Sequence, residues 1–135
     1  MPSPIPRRAS VETSPECPCG GGTYADCCGP LLDGVRLAER AEELMRSRYT
    51  AFAVGDARHL LRTWHPRTRP ESVSVDGIEW TGLEIVDTVA GTPGDEEGVV
   101  EFLAQHRIDG RPGTLHERSR FARRAGRWLY LDGAG

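Results

Sequence analysis

Residues 97–133 have the sequence EGVVEFLAQHRIDGRPGTLHERSRFARRAGRWLYLDG. They divide into three runs, 97–110, 114–126 and 127–133, which are rich in β-branched and aromatic residues and are separated by turns that contain glycine. This pattern is typical of antiparallel strands joined by hairpins. A similar run precedes them at 78–92, so the sequence predicts an antiparallel meander of four strands.

Two helices are predicted before this sheet. Apolar residues recur from Leu37 onward at the spacing of one helix face, and Gly55 is expected to end this first helix. Asp56 is expected to cap a second, shorter helix that ends at Pro66. Helices followed by strands predict an α+β domain over residues 35–133, in which the helices pack on one face of a curved antiparallel sheet.

All four cysteines lie before the first helix, in a segment at residues 15–34 with the spacing C-x-C-x7-C-C. A disulfide within either pair would close a strained ring, and the C-x-x-C spacing of thioredoxin-like redox sites is absent. Disulfides between the two pairs are geometrically possible, but a cytosolic compartment would keep them reduced. Four thiolates complete a tetrahedral zinc site, which leaves no open position for a substrate. The sequence therefore predicts a structural Zn²⁺ ion bound by Cys17, Cys19, Cys27 and Cys28.

The residues between the two cysteine pairs are expected to shape this site. Their glycines allow tight backbone turns and bring N–H groups close to the sulfur atoms. Thr23 and Asp26 are expected to form a reciprocal helix cap that opens a single turn carrying Cys27 and Cys28. Gly29-Pro30 is expected to end that turn.

Composition narrows the functional classes. The chain has 135 residues and a net charge of −3, which argues against general nucleic-acid binding. It contains no apolar run long enough to cross a membrane, so no membrane insertion is expected. Residues 1–14 are expected to be a flexible tail without the apolar region of a secretory signal. These features predict a cytoplasmic protein, in which thiols stay reduced.

The charged residues are unevenly distributed along the predicted strands. Residues 71–101 contain nine acidic and no basic residues, whereas residues 107–127 contain seven arginines and two acidic residues. Ion pairs between neighbouring strands are the simplest expectation. The alternative is an arginine-lined anion site.

The segment CPCGGGTYADCCG (17–29) resembles the SEC-C zinc motif, which is known from the C-terminal tail of the SecA translocation ATPase. The resemblance rests on the Cys-Pro-Cys-Gly start, the aromatic Tyr24 and the Cys-Cys-Gly end. Further stretches resemble the YchJ-like family of bacterial proteins: LMRSRYTAF (44–52), LLRTWHP (60–66), EWTGLEI (79–85) and HERSRFARRAGRWLYLDG (116–133).

The resemblance implies a central domain with a nuclear transport factor 2-like fold, a curved sheet backed by helices. It implies no established biochemical activity. Many members of the family end in a second SEC-C motif, whereas all four cysteines of this sequence belong to the first. Any function that requires two such motifs is therefore not expected here.

Domains that resemble nuclear transport factor 2 often enclose a pocket between sheet and helices. Strand alternation places His116 and Arg118 on one face, but it does not identify the concave face. Arg48 is a candidate clamp for an anion, or else the partner of a glutamate in the sheet. The full set of candidate pocket residues is Arg48, Tyr49, Trp64, His65, His116 and Arg118.

Three functions remain open from the sequence. The leading hypothesis is an interaction module, without evident enzymatic activity, whose zinc knuckle contacts a protein partner. The second is a small-molecule-binding or enzymatic domain that uses the pocket. The third, with least support, is nucleic-acid binding through the arginine-rich strands. A homodimer through the open face of the sheet is a further option, because related folds often dimerise in this way.

Overall fold

A computed structural model describes residues 15–134, and the predicted tail at residues 1–14 lies outside the described residues. No helix in the described part is long and apolar enough to cross a membrane. In chain order, the elements are a 3-10 turn at Tyr24–Asp26, helices α1 (Gly29–Leu32), α2 (Ala41–Val54) and α3 (Ala57–Arg62), and strands β1 (Glu79–Ala90), β2 (Glu97–Ile108), β3 (Arg111–Arg124) and β4 (Arg127–Ala134).

The strands form one antiparallel sheet in the order β1-β2-β3-β4. The turns at Asp109-Gly110 and Ala125-Gly126 have positive φ at both positions. Type I′ hairpin turns have this conformation, and their twist matches that of the strands they join. Register shifts mark bulges in β1 and in β4, where Leu131 is skipped in the pairing with β3, and such bulges bend the strands and curve the sheet. The predicted α+β fold with a curved antiparallel meander is confirmed.

Alternation along β2 separates the two faces of the sheet. Val100, Phe102 and Ala104 are buried in the core beneath the helices. The register pairs Phe102 with Glu117 and Val100 with Ser119, so these β3 residues share the helix-covered face. Directly paired residues of an antiparallel sheet lie on the same face, and their sequence neighbours therefore lie on the outer face.

Helix α2 begins later than predicted. Leu37 is 56% exposed and lies outside the helix, which starts at Ala41. The Ala41 N–H donates to the carbonyl of Gly91 in the β1–β2 turn, at 3.0 Å. The start is therefore set by a tertiary contact that the helical periodicity does not reveal. Gly55 ends α2 in the left-handed conformation, as predicted.

Helix α3 begins as predicted but ends earlier. The Asp56 side chain accepts a hydrogen bond from the backbone N–H of His59 at 3.0 Å, so the predicted cap is confirmed. The helix ends at Arg62, before Pro66, because the following residues pair with the edge of β4. There the Tyr130 N–H donates to the Thr63 carbonyl at 2.8 Å.

The charged residues of neighbouring strands form ion pairs, as the simpler prediction required. Arg118 contacts Glu101 at 2.9 Å and Asp87 at 3.2 Å, and Arg120 contacts Asp132 at 2.6 Å. These pairs are exposed, and each contributes little to stability. Arg118 and Arg120 of this outer face are thus paired with carboxylates of other strands of the sheet.

We expect Gly98→Ala to destabilise the protein, because this position is where α2 meets the sheet. A β-carbon there would lie 2.6 Å from the Gly91 Cα and 3.2 Å from the Ala41 Cβ. Overpacking of this kind costs about 1–3 kcal/mol of unfolding free energy. Urea unfolding should therefore show a lower midpoint. Gly94→Ala is the matched control, since no atom lies within 4 Å of its added β-carbon. Equal midpoints for both variants would contradict the close approach.

Candidate functional site

The four cysteine thiols converge on one point. Their sulfur atoms all lie within 4.8 Å of one another. Cys19 and Cys27 are 3.5 Å apart, Cys19 and Cys28 are 3.7 Å apart, and Cys27 and Cys28 are 3.9 Å apart. Four thiolates placed about 2.3 Å from a central ion at the corners of a tetrahedron would be about 3.8 Å apart. The cluster therefore has the dimensions of a four-thiolate metal site, and none of the four cysteines forms a disulfide.

A short hairpin brings the cysteines together. The Cys17 N–H donates to the Gly22 carbonyl at 2.7 Å and closes the first loop. A β-carbon on Gly21 would lie 3.2 Å from the Cys27 sulfur and 3.3 Å from the Cys19 sulfur. The backbone thus approaches the sulfurs closely, which is the role expected for the glycines.

The turn between the cysteine pairs differs from the predicted helix cap. The Thr23 hydroxyl donates to the Asp26 carboxylate at 3.2 Å, but the Thr23 side chain does not cap the backbone. The 3-10 turn ends at Asp26, and the second cysteine pair lies in the link to α1. The prediction that Gly29-Pro30 ends a turn is wrong. These residues begin α1, whose first turn tolerates proline because an N–H there has no intrahelical partner.

Helix α2 holds the cysteine segment against the domain. The hydroxyl of Thr50, which is fully buried, lies 3.6 Å from the Cys17 sulfur. The Arg46 Nη1 donates to the Cys19 carbonyl at 2.9 Å, while its Nε pairs with Glu42 at 3.0 Å. The segment therefore docks on one side of α2 through polar contacts.

The pKa values of Cys19, Cys27 and Cys28 are shifted in different directions. A hydrogen bond from the Cys28 thiol lowers the pKa of Cys19 to about 4. Burial raises the pKa of Cys27 to about 12, and the hydrogen bond with Cys19 raises the pKa of Cys28. A divalent cation that binds here must displace the remaining thiol protons, so its affinity will depend on pH.

A second candidate site is a cavity of about 170 Å³ between α2 and the sheet. Most of its lining is aromatic or aliphatic, with one arginine and one glutamate among the charged groups. Leu115 also lines it and is 38% exposed, so the cavity opens towards solvent beside β3. The aromatic residues of the lining are Tyr49, Phe52, Trp64, Trp80, Phe102 and Tyr130.

Arg48 is the buried cation of this cavity, with only 4% of its surface exposed. Its Nη1 donates to the Leu60 carbonyl and the Thr63 hydroxyl, both at 2.8 Å. Its guanidinium carbon lies 4.8 Å and 4.5 Å from the ring centres of Trp64 and Tyr130. Burial lowers the pKa of Arg48 to about 10. Neutral groups and aromatic rings thus hold the cation, and no carboxylate within residues 15–134 forms an ion pair with it.

Glu117 is the carboxylate of the cavity, and the sequence analysis did not select it. Its Oε2 accepts hydrogen bonds from the Ser119 hydroxyl at 2.7 Å and the Tyr130 hydroxyl at 3.2 Å. Burial, followed by the charge of Glu117, raises the pKa of Tyr130 to about 12. The signal was present in the sequence, because Glu117 alternates with the apolar Leu115 and Phe121 on the same side of β3.

The candidate pocket residues fall into two groups. Arg48, Tyr49 and Trp64 line the cavity, whereas His65, His116 and Arg118 do not. The placement of His116 and Arg118 in the pocket is wrong, because the register of β2 and β3 turns them to the outer face. There His116 lies 2.6 Å from the Glu101 carboxylate, and Arg118 pairs with the same group. The His65 ring accepts the backbone N–H of Arg67 at 3.0 Å, outside the cavity.

His59 is a buried histidine that the sequence analysis did not single out, with 2% exposure. Its Nδ1 lies 2.9 Å from an Arg62 nitrogen, and its Nε2 lies 2.9 Å from the Ser47 hydroxyl. An arginine only donates, so Nδ1 accepts and Nε2–H donates to Ser47. The Ser47 hydroxyl in turn donates to the Leu44 carbonyl at 2.7 Å. The histidine is therefore not positioned to take the serine proton, and the pair forms a satisfied structural network.

The fold and site together define a class of protein: a SEC-C-type cysteine knuckle joined to a nuclear transport factor 2-like α+β domain. Residues 40–133 match the family model described as the YchJ middle NTF2-like domain. A UPF0225 protein of Streptomyces coelicolor is 53% identical over 122 residues, which cover 89% of this chain and 95% of that protein. A UPF0225 protein of Chromobacterium violaceum is 48% identical over 131 residues, covering 93% and 97% of the two chains. The chain belongs to this YchJ, or UPF0225, family.

Two solved structures of SEC-C motif-containing proteins share the fold. The solution structure of the Rhodopseudomonas palustris protein matches with a TM-score of 0.79 and 36% identity, over 88% of this chain and 97% of that one. The crystal structure of the Psychrobacter arcticus protein matches with a TM-score of 0.72 and 26% identity, over 86% and 80% of the two chains. These likenesses confirm the predicted fold and the presence of the cysteine motif.

We expect His59 to make stability depend on pH. Burial lowers the pKa of His59 to about 4 from an ordinary value of 6.5. The unfolded chain therefore takes up a proton at a higher pH than the folded protein does. The contribution of His59 to stability is present above about pH 6.5 and is lost as the pH falls towards 4.

This dependence can be measured by urea unfolding of the wild type and His59→Gln at several pH values. The unfolding free energy of the wild type minus that of His59→Gln should fall by about 2 kcal/mol from about pH 7.5 to pH 5, because only the wild type loses stability through this histidine. Both proteins keep the cysteine cluster, so acid effects on that cluster cancel in the comparison. A difference that stays constant with pH would contradict the neutral buried histidine.

Proposed function

We propose that the four cysteines bind one Zn²⁺ ion and that the resulting knuckle serves as a protein interaction module on the α+β domain. The observation that carries the zinc assignment is the convergence of four thiols within 4.8 Å of one another, three of them almost fully buried. The distances among Cys19, Cys27 and Cys28, at 3.5–3.9 Å, match tetrahedral coordination. Thiolates favour soft or borderline ions, and sites with four cysteines and tetrahedral geometry are typical of structural zinc.

The bound ion would hold the four thiolates in place without supplying a reactive position. Because four cysteines complete the coordination, no ligand site remains for a substrate or a water molecule. The residues around the cluster assist this structural role. The Gly21 backbone approaches the Cys19 sulfur closely, and the Arg46 cation donates to the carbonyl of the same cysteine at 2.9 Å.

An interaction role is supported by the outward side of the knuckle. Residues 20–23 are all exposed, and the loop continues through the exposed Ala25 and Asp26. The adjacent Tyr24 ring packs against Gly29, where an added β-carbon would lie 3.1 Å from the ring. The loop is therefore fixed from behind by packing and by the metal cluster, while its surface remains available. A rigid exposed loop loses little conformational entropy when a partner binds.

The purified protein should contain one zinc ion per chain under reducing conditions, measured by elemental analysis. Cys19→Ser should lose this stoichiometry, because a hydroxyl is a poor ligand for zinc beside three thiolates. Ala25→Ser is the control, since it introduces the same residue at an exposed position of the same loop. Hydrogen exchange should show loss of protection in residues 15–28 of Cys19→Ser, while amides of β2 and β3 stay protected. A zinc-free wild type with all thiols reduced would refute the zinc assignment.

The interaction role is tested by affinity capture with the wild type, Cys27→Ser and Ala25→Ser at equal concentrations. A partner of the knuckle should bind the wild type and Ala25→Ser, but not Cys27→Ser or the chelator-treated wild type. The captured protein should then bind the purified wild type directly, with the same dependence on zinc. If every captured protein binds all three variants equally, the knuckle is not the interaction surface.

A further inference from the structure

The cavity contains an unusual combination of groups, namely a buried guanidinium surrounded by aromatic rings. A buried cation that lacks an ion-pair partner is costly, because the surrounding protein replaces water poorly. Two hydrogen bonds and two aromatic rings offset part of this cost for Arg48. The charge of Glu117, on the same lining, favours the charged form of Arg48 without a direct ion pair. An anion in direct contact with the guanidinium would offset more of this cost.

Arg48 uses only one of its three guanidinium nitrogens for hydrogen bonds to described residues, and it is part of the cavity lining. Both of its hydrogen bonds to described residues come from Nη1, so Nε and Nη2 have no protein acceptor among them. The neighbouring Trp64 has a buried indole N–H that is also without an acceptor in the described part of the chain. Arg48 and Trp64, which both line this cavity, thus have N–H donors without an acceptor among the described residues.

The orientation of the guanidinium suits a carboxylate. Contacts with the Leu60 carbonyl and the Thr63 hydroxyl fix Nη1, and the rings of Trp64 and Tyr130 contact the planar group. A guanidinium held in this way presents its other donors as a preformed fork, which matches the two oxygens of a carboxylate.

The walls and volume of the cavity define the rest of the ligand. Tyr49 and Phe52 contact Trp80 in edge-on or tilted arrangements, with ring centres 5.9 and 6.1 Å apart, so the wall opposite the sheet is aromatic. A cavity of about 150 Å³ is large enough to bind benzene. The cavity here, at about 170 Å³, has room for one ring with a small substituent.

We propose that this cavity is a binding site for a small aromatic carboxylate, a single ring whose carboxylate pairs with Arg48. The ring packs against the aromatic wall, and the carboxylate accepts hydrogen bonds from the guanidinium. Glu117 lies on the same cavity lining and repels every carboxylate that enters, a dicarboxylate more strongly than a monocarboxylate, so the site selects monocarboxylates over dicarboxylates. This site is separate from the cysteine knuckle and does not depend on the proposed zinc.

The test measures the binding of benzoate and of benzamide to the full chain, by calorimetry and by backbone NMR shifts. Benzoate should bind once per chain, with a dissociation constant below about 1 mM. Benzamide, which has the same shape without the charge, should bind at least about tenfold more weakly. Equal affinity for the two probes would overturn the carboxylate assignment, and failure of benzoate to bind would overturn the site.

Three variants locate the binding and keep the test independent of folding defects. Ala104→Leu fills the cavity from its floor while all charges stay in place, and it should abolish benzoate binding. Glu117→Gln removes the repulsion and should strengthen benzoate binding roughly threefold. Arg118→Gln, on the outer face of the same strand, is the matched control and should leave the affinity unchanged.

Arg48→Lys completes the series, because it keeps the charge and loses the fork, and it should weaken benzoate binding at least about tenfold. Thermal unfolding of each variant shows whether it is folded. Retained binding in a folded Ala104→Leu protein, or loss of binding in Arg118→Gln, would place the benzoate elsewhere and overturn the proposal. The zinc content should be the same in all four variants.

Discussion

The packing of α2 against the concave face of the sheet is the constraint on which both candidate sites depend. One side of this helix carries Arg46 and Thr50 to the cysteine knuckle. Another side carries Arg48 and Tyr49 to the cavity. The helix is positioned at its start by the Gly91 carbonyl, where the close approach of two glycine backbones leaves no room for side chains. A shift of this contact would therefore disturb the knuckle and the cavity together.

Charged groups are more exposed on the outer face of the sheet than on the inner face. On the outer face, arginines and carboxylates of adjacent strands pair in solvent, where each pair contributes little energy and leaves little net field. On the inner face, the Arg48 guanidinium of α2 is held among aromatic rings and neutral oxygens, and Glu117 of β3 lies on the same cavity lining without a direct ion pair. A charge in this setting interacts more strongly with any ligand, because the effective dielectric constant is lower. The many arginines of β3 are therefore a weaker indication of a ligand site than the single buried Arg48 of α2.

The sequence predicted the strands and the cysteine cluster because local chemistry determines them. Asp109-Gly110 and Ala125-Gly126 suit the backbone of tight hairpin turns, and the cysteine spacing favours one metal-binding arrangement over disulfides. It did not predict which set of β3 side chains lies on the concave face of the sheet, because strand alternation separates two sets without saying which one is inside. Phe121 breaks that symmetry, since a large apolar side chain belongs in the core, and it places Glu117 inside.

Features that depend on tertiary contacts could not be predicted locally. The start of α2 at Ala41 requires the turn between β1 and β2, which lies far away in the sequence. The burial of His59 requires Ser47 of α2, which only the folded chain brings to the histidine of α3. Both cases involve polar groups whose hydrogen bonds are completed by distant residues. Arg48 differs in that described residues complete only part of its hydrogen bonding, and this difference supports the proposal of a ligand site in the cavity.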